Sequence, residues 1–221
     1  MSIDSPHFVD LRDYYEVNVE GMPTFVMEEE FIEGPTLREK IDRGENGLEF
    51  GIRVADVLLD LLVQFEELNI IHRDIKPNNI MLNEEDEIIL LDIGMVRFEE
   101  RESITPDHLD RLGTAEYGAP EQLDYDKDLQ SIRTDIFSTG IVMFETITGV
   151  HPYSNTGKSI SESILEGEKM DFTGILDDED LSQEISDVFE IMTSTEPHMR
   201  YRKPEFVRED FDGVKEVVLD V

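Results

Sequence analysis

The chain has 221 residues, 39% hydrophobic and 33% charged, with 14 Gly and 9 Pro, which gives enough apolar material for a sizeable core and excludes a low-complexity or fibrous polymer. Its 53 Asp and Glu against 19 Lys and Arg leave a formal charge of −34, which opposes any sequence-independent hold on nucleic acid or on an anionic membrane surface. Without Cys there are no disulfides, thiolate metal sites or thiol nucleophiles, and without an apolar run of bilayer-spanning length the expectation is a soluble, cytoplasmic protein.

The acid is spread along the whole chain, with Glu28-Glu29-Glu30, Glu84-Glu85-Asp86 and Asp177 to Asp180 the densest patches. That pattern resembles proteins of halophilic organisms, because at molar salt the Debye length is about 3 Å and a dense carboxylate surface costs little.

In chain order, Phe8 to Phe31 reads as a hairpin around Glu20-Gly21-Met22-Pro23, with Val17, Val19, Phe25 and Val26 as strand formers. From Glu49 to Leu68, Val54, Val57, Leu58, Leu61, Leu62, Phe65 and Leu68 recur at three- and four-residue steps, which predicts an amphipathic helix. Residues 70 to 79 then form a polar loop, followed by a two-stranded ribbon, Ile80-Met81-Leu82 and Ile88 to Leu91, turning at Asn83 to Asp86. Asp135 to Thr148 is apolar on nearly every side and closed by Gly149, which predicts a fully buried helix. Helices follow at Ser159 to Glu166 and Leu181 to Thr193, and Pro197 and Pro204 punctuate the end. Lys40, Lys158 and Lys169 read as solvated surface residues. His7, His108, His151 and His198 show no metal-ligand spacing and read as structural or surface.

The chemistry concentrates in one loop, His72-Arg73-Asp74-Ile75-Lys76-Pro77-Asn78-Asn79. Thirteen residues after Asn79 the ribbon ends in Asp92-Ile93-Gly94, and Ala119-Pro120-Glu121 lies further on. In this order the three motifs resemble those of the eukaryotic-type protein kinase family, and the γ-phosphoryl transfer that the resemblance implies asks a protein mainly for positioning and charge neutralisation. Magnesium takes hard oxygen ligands, which suits the Asp92 carboxylate and the Asn79 amide oxygen. Asp74, in the same loop, can orient a substrate hydroxyl and accept its proton, and Lys76 can set a compact positive charge near the transferred phosphate.

Ile93 stands where the family's usual turn has Phe. The resemblance implies an α+β, protein-kinase-like fold: a mainly helical C-terminal lobe with a short β-ribbon (residues 35–221), preceded by a remnant of the β-rich N-terminal lobe and the hinge (residues 1–34). It implies ATP and Mg2+ as cofactors, with Glu30, Phe31 and Ile32 at the adenine and Lys76, Asn79 and Asp92 at the phosphates and metal. Asp74, Lys76 and Thr114 become the catalytic group, Thr114 lying in the substrate-facing Arg111 to Tyr117 segment. Arg73 would pair with a phosphorylated Ser103 or Thr105. Asp135 would brace the catalytic loop, and Glu121 would pair with Arg200. Lysine after the catalytic aspartate resembles serine/threonine kinases, so the expected substrate is a protein Ser or Thr hydroxyl.

Before Lys40 there is no lysine, and before Gly34 the only glycine is Gly21, whereas a complete kinase carries a Gly-rich loop and a strand lysine in its small lobe. The expectation is therefore a kinase whose small lobe is missing or supplied by a partner, its hairpin mobile or paired with another chain. The alternative is a catalytically weak or inactive scaffold that binds proteins. A small-molecule phosphotransferase of related fold is the third reading, disfavoured by Arg73, Lys76 and the Gly113 to Glu121 segment.

Overall fold

The computed structural model describes residues 3, 5–19, 22–91, 97–98 and 116–219. The chain opens with an antiparallel hairpin, β1 Leu11–Val19 and β2 Met22–Glu29, in register through Tyr15↔Val26 and Val17↔Thr24. Helix α1, Leu37–Asp42, starts at a Thr36/Glu39 capping box. Helix α2, Leu48–Glu67, follows the predicted period and buries Val54, Leu58, Leu61, Leu62 and Phe65.

The loop expected over residues 70 to 79 contains a short strand, β3 Ile70–Ile71, which pairs with β6 Arg97–Phe98, and ends in a 3-10 turn, Pro77–Asn79. The polar run hid β3 because two residues are too few to show an alternation. The ribbon is as predicted, β4 Ile80–Leu82 antiparallel to β5 Ile88–Leu90. Its turn is held by Asn83 Oδ1, which accepts the N–H groups of Glu85 at 3.0 Å and Glu87 at 2.8 Å.

After α3, Pro120–Leu123, comes α4, Ile132–Thr148, capped by Ser131 and closed by Gly149 at φ 75. Every residue from Thr134 to Thr146 is buried, so α4 is the post around which the lobe packs. Gly51 of α2 faces Ile147 of α4 so closely that a Cβ there would run into the Ile147 side chain and backbone. The two helices can cross at that point only over a glycine.

The remaining helices are α5 Ile160–Glu166, α6 Glu179–Met192 and α7 Pro204–Leu219. Pro204 opens a 16-residue helix instead of ending the fold: proline suits a first turn, where no intrahelical acceptor awaits its missing N–H. Phe144, Phe172 and Phe189 cluster with centroids 4.7 to 5.6 Å apart. Lys169, expected in solvent, has a side chain only 9% exposed, 2.9 Å from Glu190 and over the Phe189 ring. Its aliphatic stem covers apolar surface while the ammonium keeps an anionic partner.

The hairpin is joined to this helical body at its base. His7 and Val9 run beside β5, Leu90 N–H donating to His7 O at 2.8 Å and Val9 N–H to Leu90 O at 3.0 Å. Phe8 is buried edge-on against Phe65, 5.4 Å between centroids. Further out, Leu11, Tyr15 and Met27 are exposed.

Candidate active site

The loop between β3 and the 3-10 turn is fixed from below by one carboxylate. Asp135, in the first turn of α4 and fully buried, accepts the backbone N–H of His72 at 2.7 Å and of Arg73 at 2.8 Å. Burial pushes its carboxyl up to about 7, against the two N–H groups, which favour the ion. Arg73 sits at φ 68, a left-handed conformation that costs a non-glycine residue free energy unless its surroundings impose it. Here they do: its N–H is held by Asp135 and its carbonyl accepts Gln122 Nε2 at 2.9 Å.

His72 fixes the other side. The Asp74 N–H donates to its Nδ1 at 3.3 Å, so Nε2 carries the proton and donates to Leu91 O at 3.1 Å. Phe65 stacks on the imidazole at 6.0 Å and Phe8 meets it edge-on at 6.3 Å. Leu91 N–H in turn donates to Asn79 O at 2.8 Å. Leu91, the residue after β5, is thus bonded to both ends of the loop.

On this frame Asp74 is drawn to Lys76 and Asn79. Lys76 Nζ lies 2.9 and 2.7 Å from the two Asp74 carboxylate oxygens. Asn79 Nδ2 donates to Asp74 O at 2.9 Å and to Asp74 Oδ2 at 2.8 Å. With its nitrogen turned inward, the Asn79 amide offers its oxygen as the hard donor that a magnesium ion requires. Asp92, Ile93 and Gly94, and with them Ser103, Thr105, Gly113 and Thr114, lie outside the described residues.

The residues read as the hinge follow β2. Glu30 N–H donates to Asp10 O at 3.0 Å, Phe31 is 87% exposed and Ile32 is half-buried. Gly34, at φ 151, passes so close to Leu82 O that any side chain would collide with it, and Pro35 O accepts the Leu82 N–H at 3.0 Å. This segment is therefore tied to strand β4 of the ribbon.

On the far side Glu121 and Arg200 form a buried pair, Nη1–Oε1 2.7 Å and Nη2–Oε2 2.9 Å, with Thr134 Oγ1 donating to Glu121 at 2.8 Å. The guanidinium lies over Phe137 at 4.7 Å.

A family model described as the protein kinase domain matches residues 1–211. The chain belongs to the protein kinase family. It is 31% identical over 155 residues to a probable serine/threonine-protein kinase of Bifidobacterium longum, covering 70% of this chain and 20% of that protein. It is 29% identical over 205 residues to serine/threonine-protein kinase PknL of Mycobacterium tuberculosis, covering 91% of this chain and 50% of that one. A probable serine/threonine-protein kinase of Clostridium acetobutylicum is 35% identical over 151 residues, 65% of this chain and 22% of its own. The chain thus spans half or less of the length of these relatives. Among the described residues no helix is long and apolar enough to cross a membrane.

Within this kinase fold, sequence reasoning missed a buried polar group that ties Tyr117 to α4 and α1. Tyr117 OH donates to Glu145 Oε2 at 2.5 Å and accepts from Arg38 Nη2 at 2.5 Å, while Arg38 also pairs with Glu145 Oε1 at 2.8 Å. Burial and the Glu145 charge raise the Tyr117 phenol above its ordinary pKa, so it stays a donor. The signal was present: Glu145 is the one carboxylate beyond the first turn of an otherwise buried helix, and a charge there must have a partner. Gln122, which supports Arg73, left no such mark.

Proposed function

We propose that this kinase-family chain transfers the γ-phosphate of ATP to a serine or threonine hydroxyl of a protein. The observation that carries the reading is the Asp74 carboxylate, 8% exposed, held between Lys76 Nζ and Asn79 Nδ2. In this reading the acceptor hydroxyl gives its proton to Asp74 as its oxygen bonds to the γ-phosphorus and the bond to the β,γ-bridging oxygen breaks. Lys76 exchanges part of its contact with Asp74 for the phosphoryl oxygens, neutralising charge as it develops. Asn79 and Asp92 would hold Mg2+, which supplies Lewis-acid neutralisation of the phosphates. Glu30, Phe31 and Ile32 would receive the adenine, and Thr114 would meet the substrate near Asp74. The printed names of the relatives support the serine/threonine class.

The second reading is a protein-binding scaffold with little catalysis, which holds if no strand lysine of the kind that positions phosphates in kinases reaches the site. A partner supplying that lysine and a Gly-rich loop would reconcile the two. The deciding experiment is labelled ATP with a generic protein acceptor in high salt, comparing the chain with Asp74→Asn. Labelling that drops by about 10²-fold or more in the variant supports the enzyme. Equal labelling removes Asp74 from the role, and no labelling alone or with added kinase small lobes supports the scaffold.

A further inference from the structure

Of the histidines read as structural, His151 makes contacts that no core-filling role requires. It lies just after α4, is 8% exposed, and both ring nitrogens are engaged. Tyr153 N–H donates to Nδ1 at 3.3 Å, so Nδ1 bears no proton and Nε2–H donates to the carbonyl of Glu116 at 3.0 Å. The ring also meets Tyr117 edge-on, 5.1 Å between centroids. Glu116 and Tyr117 are the last two residues of the segment read above as substrate-facing, Arg111 to Tyr117. Their other holds are Ser138 Oγ on Tyr117 O at 2.8 Å and the Glu145–Arg38 pair on the Tyr117 hydroxyl.

We propose that neutral His151 is a positioning residue that latches the chain at Glu116 and Tyr117, the described end of the segment read as substrate-facing, and that a proton at Nδ1 opens the latch. The link to substrate rests on the kinase reading; the latch does not. Protonation would turn Nδ1 from acceptor into donor, facing the Tyr153 N–H. The acceptor is lost and two donors meet in a site with little water.

The charged and titratable groups around the imidazole are Glu145 from α4, Arg38 from α1, Glu116 and Tyr117 from the latched segment, and Tyr153 on its own turn. Burial outweighs the two carboxylates and lowers the His151 pKa. The sign follows. A base whose folded pKa lies below its unfolded value of about 6.5 stabilises the fold fully above that value. That stabilisation is lost as pH falls through the folded pKa, so the latch is closed at neutral pH and opens on acidification.

The test uses the full chain at high salt. Imidazole NMR should show the Nε2–H tautomer at His151 and a titration below about 6.5. Amide exchange of the peptide from Glu116 to Glu121, corrected for intrinsic rates, should rise about fivefold between pH 7.5 and 5, the loss of one hydrogen bond. In His151→Gln, whose amide can donate to Glu116 O and accept from Tyr153 N–H but cannot titrate, protection at pH 7.5 should be retained and the pH step should vanish. A histidine titrating at or above its ordinary value, or equal pH steps in the two proteins, overturns the latch. The wild-type NMR titration decides the matter even if the variant does not fold. Neither measurement needs catalytic turnover, so a chain without kinase activity would overturn the substrate role and leave the latch standing.

Discussion

The Asp135 carboxylate on α4 receives the backbone N–H of Arg73 at 2.8 Å, with that of His72 beside it at 2.7 Å. One buried side chain thus holds the loop of residues 72–79 in a left-handed turn that Arg73 would not adopt alone. Asp135→Ala strands two buried donors, at about 1–3 kcal/mol each. We expect denaturant unfolding to show a loss of about 2–5 kcal/mol, and a loss below 1 kcal/mol would contradict this bracing role.

The same carboxyl gives a pH prediction. Its folded value, pushed up to about 7, lies above the unfolded value of about 3.9. An acid raised on folding stabilises most below its unfolded pKa and loses that contribution as pH rises through the folded one. The stability deficit of Asp135→Asn relative to the parent should therefore shrink steadily from pH 5 to pH 8, as measured by urea titration at each pH. A deficit that grows with pH would refute the assignment.

Glu121 and Arg200 are 1% and 0% exposed at their side chains and bonded through two hydrogen bonds. Removing one partner leaves a charge in the core. Glu121→Ala or Arg200→Met alone should cost about 3–5 kcal/mol, while a well-packed apolar pair at both positions should cost far less than the sum. Additive losses in calorimetry would show that the pair is not coupled.

Lys76 touches both oxygens of Asp74, so its removal acts on the site more than on the core. Lys76→Met should leave the melting temperature within a few degrees and reduce phosphoryl transfer, if the parent is active, by about 10²-fold. A variant with normal turnover would exclude Lys76 from charge neutralisation.

The formal charge of −34 predicts a salt requirement. Raising KCl from 0.1 to 1 M shortens the Debye length from about 10 to about 3 Å, so thermal stability should climb steadily across that range. A melting temperature flat in salt would mean that the carboxylates are balanced by pairing rather than by screening.

Much of this was legible in the chain. Helices α2 and α4 showed themselves through the spacing of Val54 to Phe65 and the unbroken apolar run ending at Gly149. Asp74, Lys76 and Asn79 stood within six residues, so their convergence needed only a loop. Helix α7 was misread because Pro204 signals both an end and a beginning, and the choice depends on what the next turn packs against. Lys169 was misplaced because composition cannot show that Glu190 and Phe189 wait beside it.

What the sequence determined by itself was the list of candidate site groups and the longest helices, since local periodicity and short spacing are set by backbone geometry. Only the tertiary structure decided which distant groups hold that list in place. Gln122 meets Arg73 across 49 residues, His151 meets Glu116 across 35, and Tyr117 meets Glu145 across 28. A hydrogen bond between two turns of the chain leaves no period in either of them. It exists because packing around the buried helix α4 brings distant segments together, and the path of a helix through a packed core is settled by the sum of its contacts.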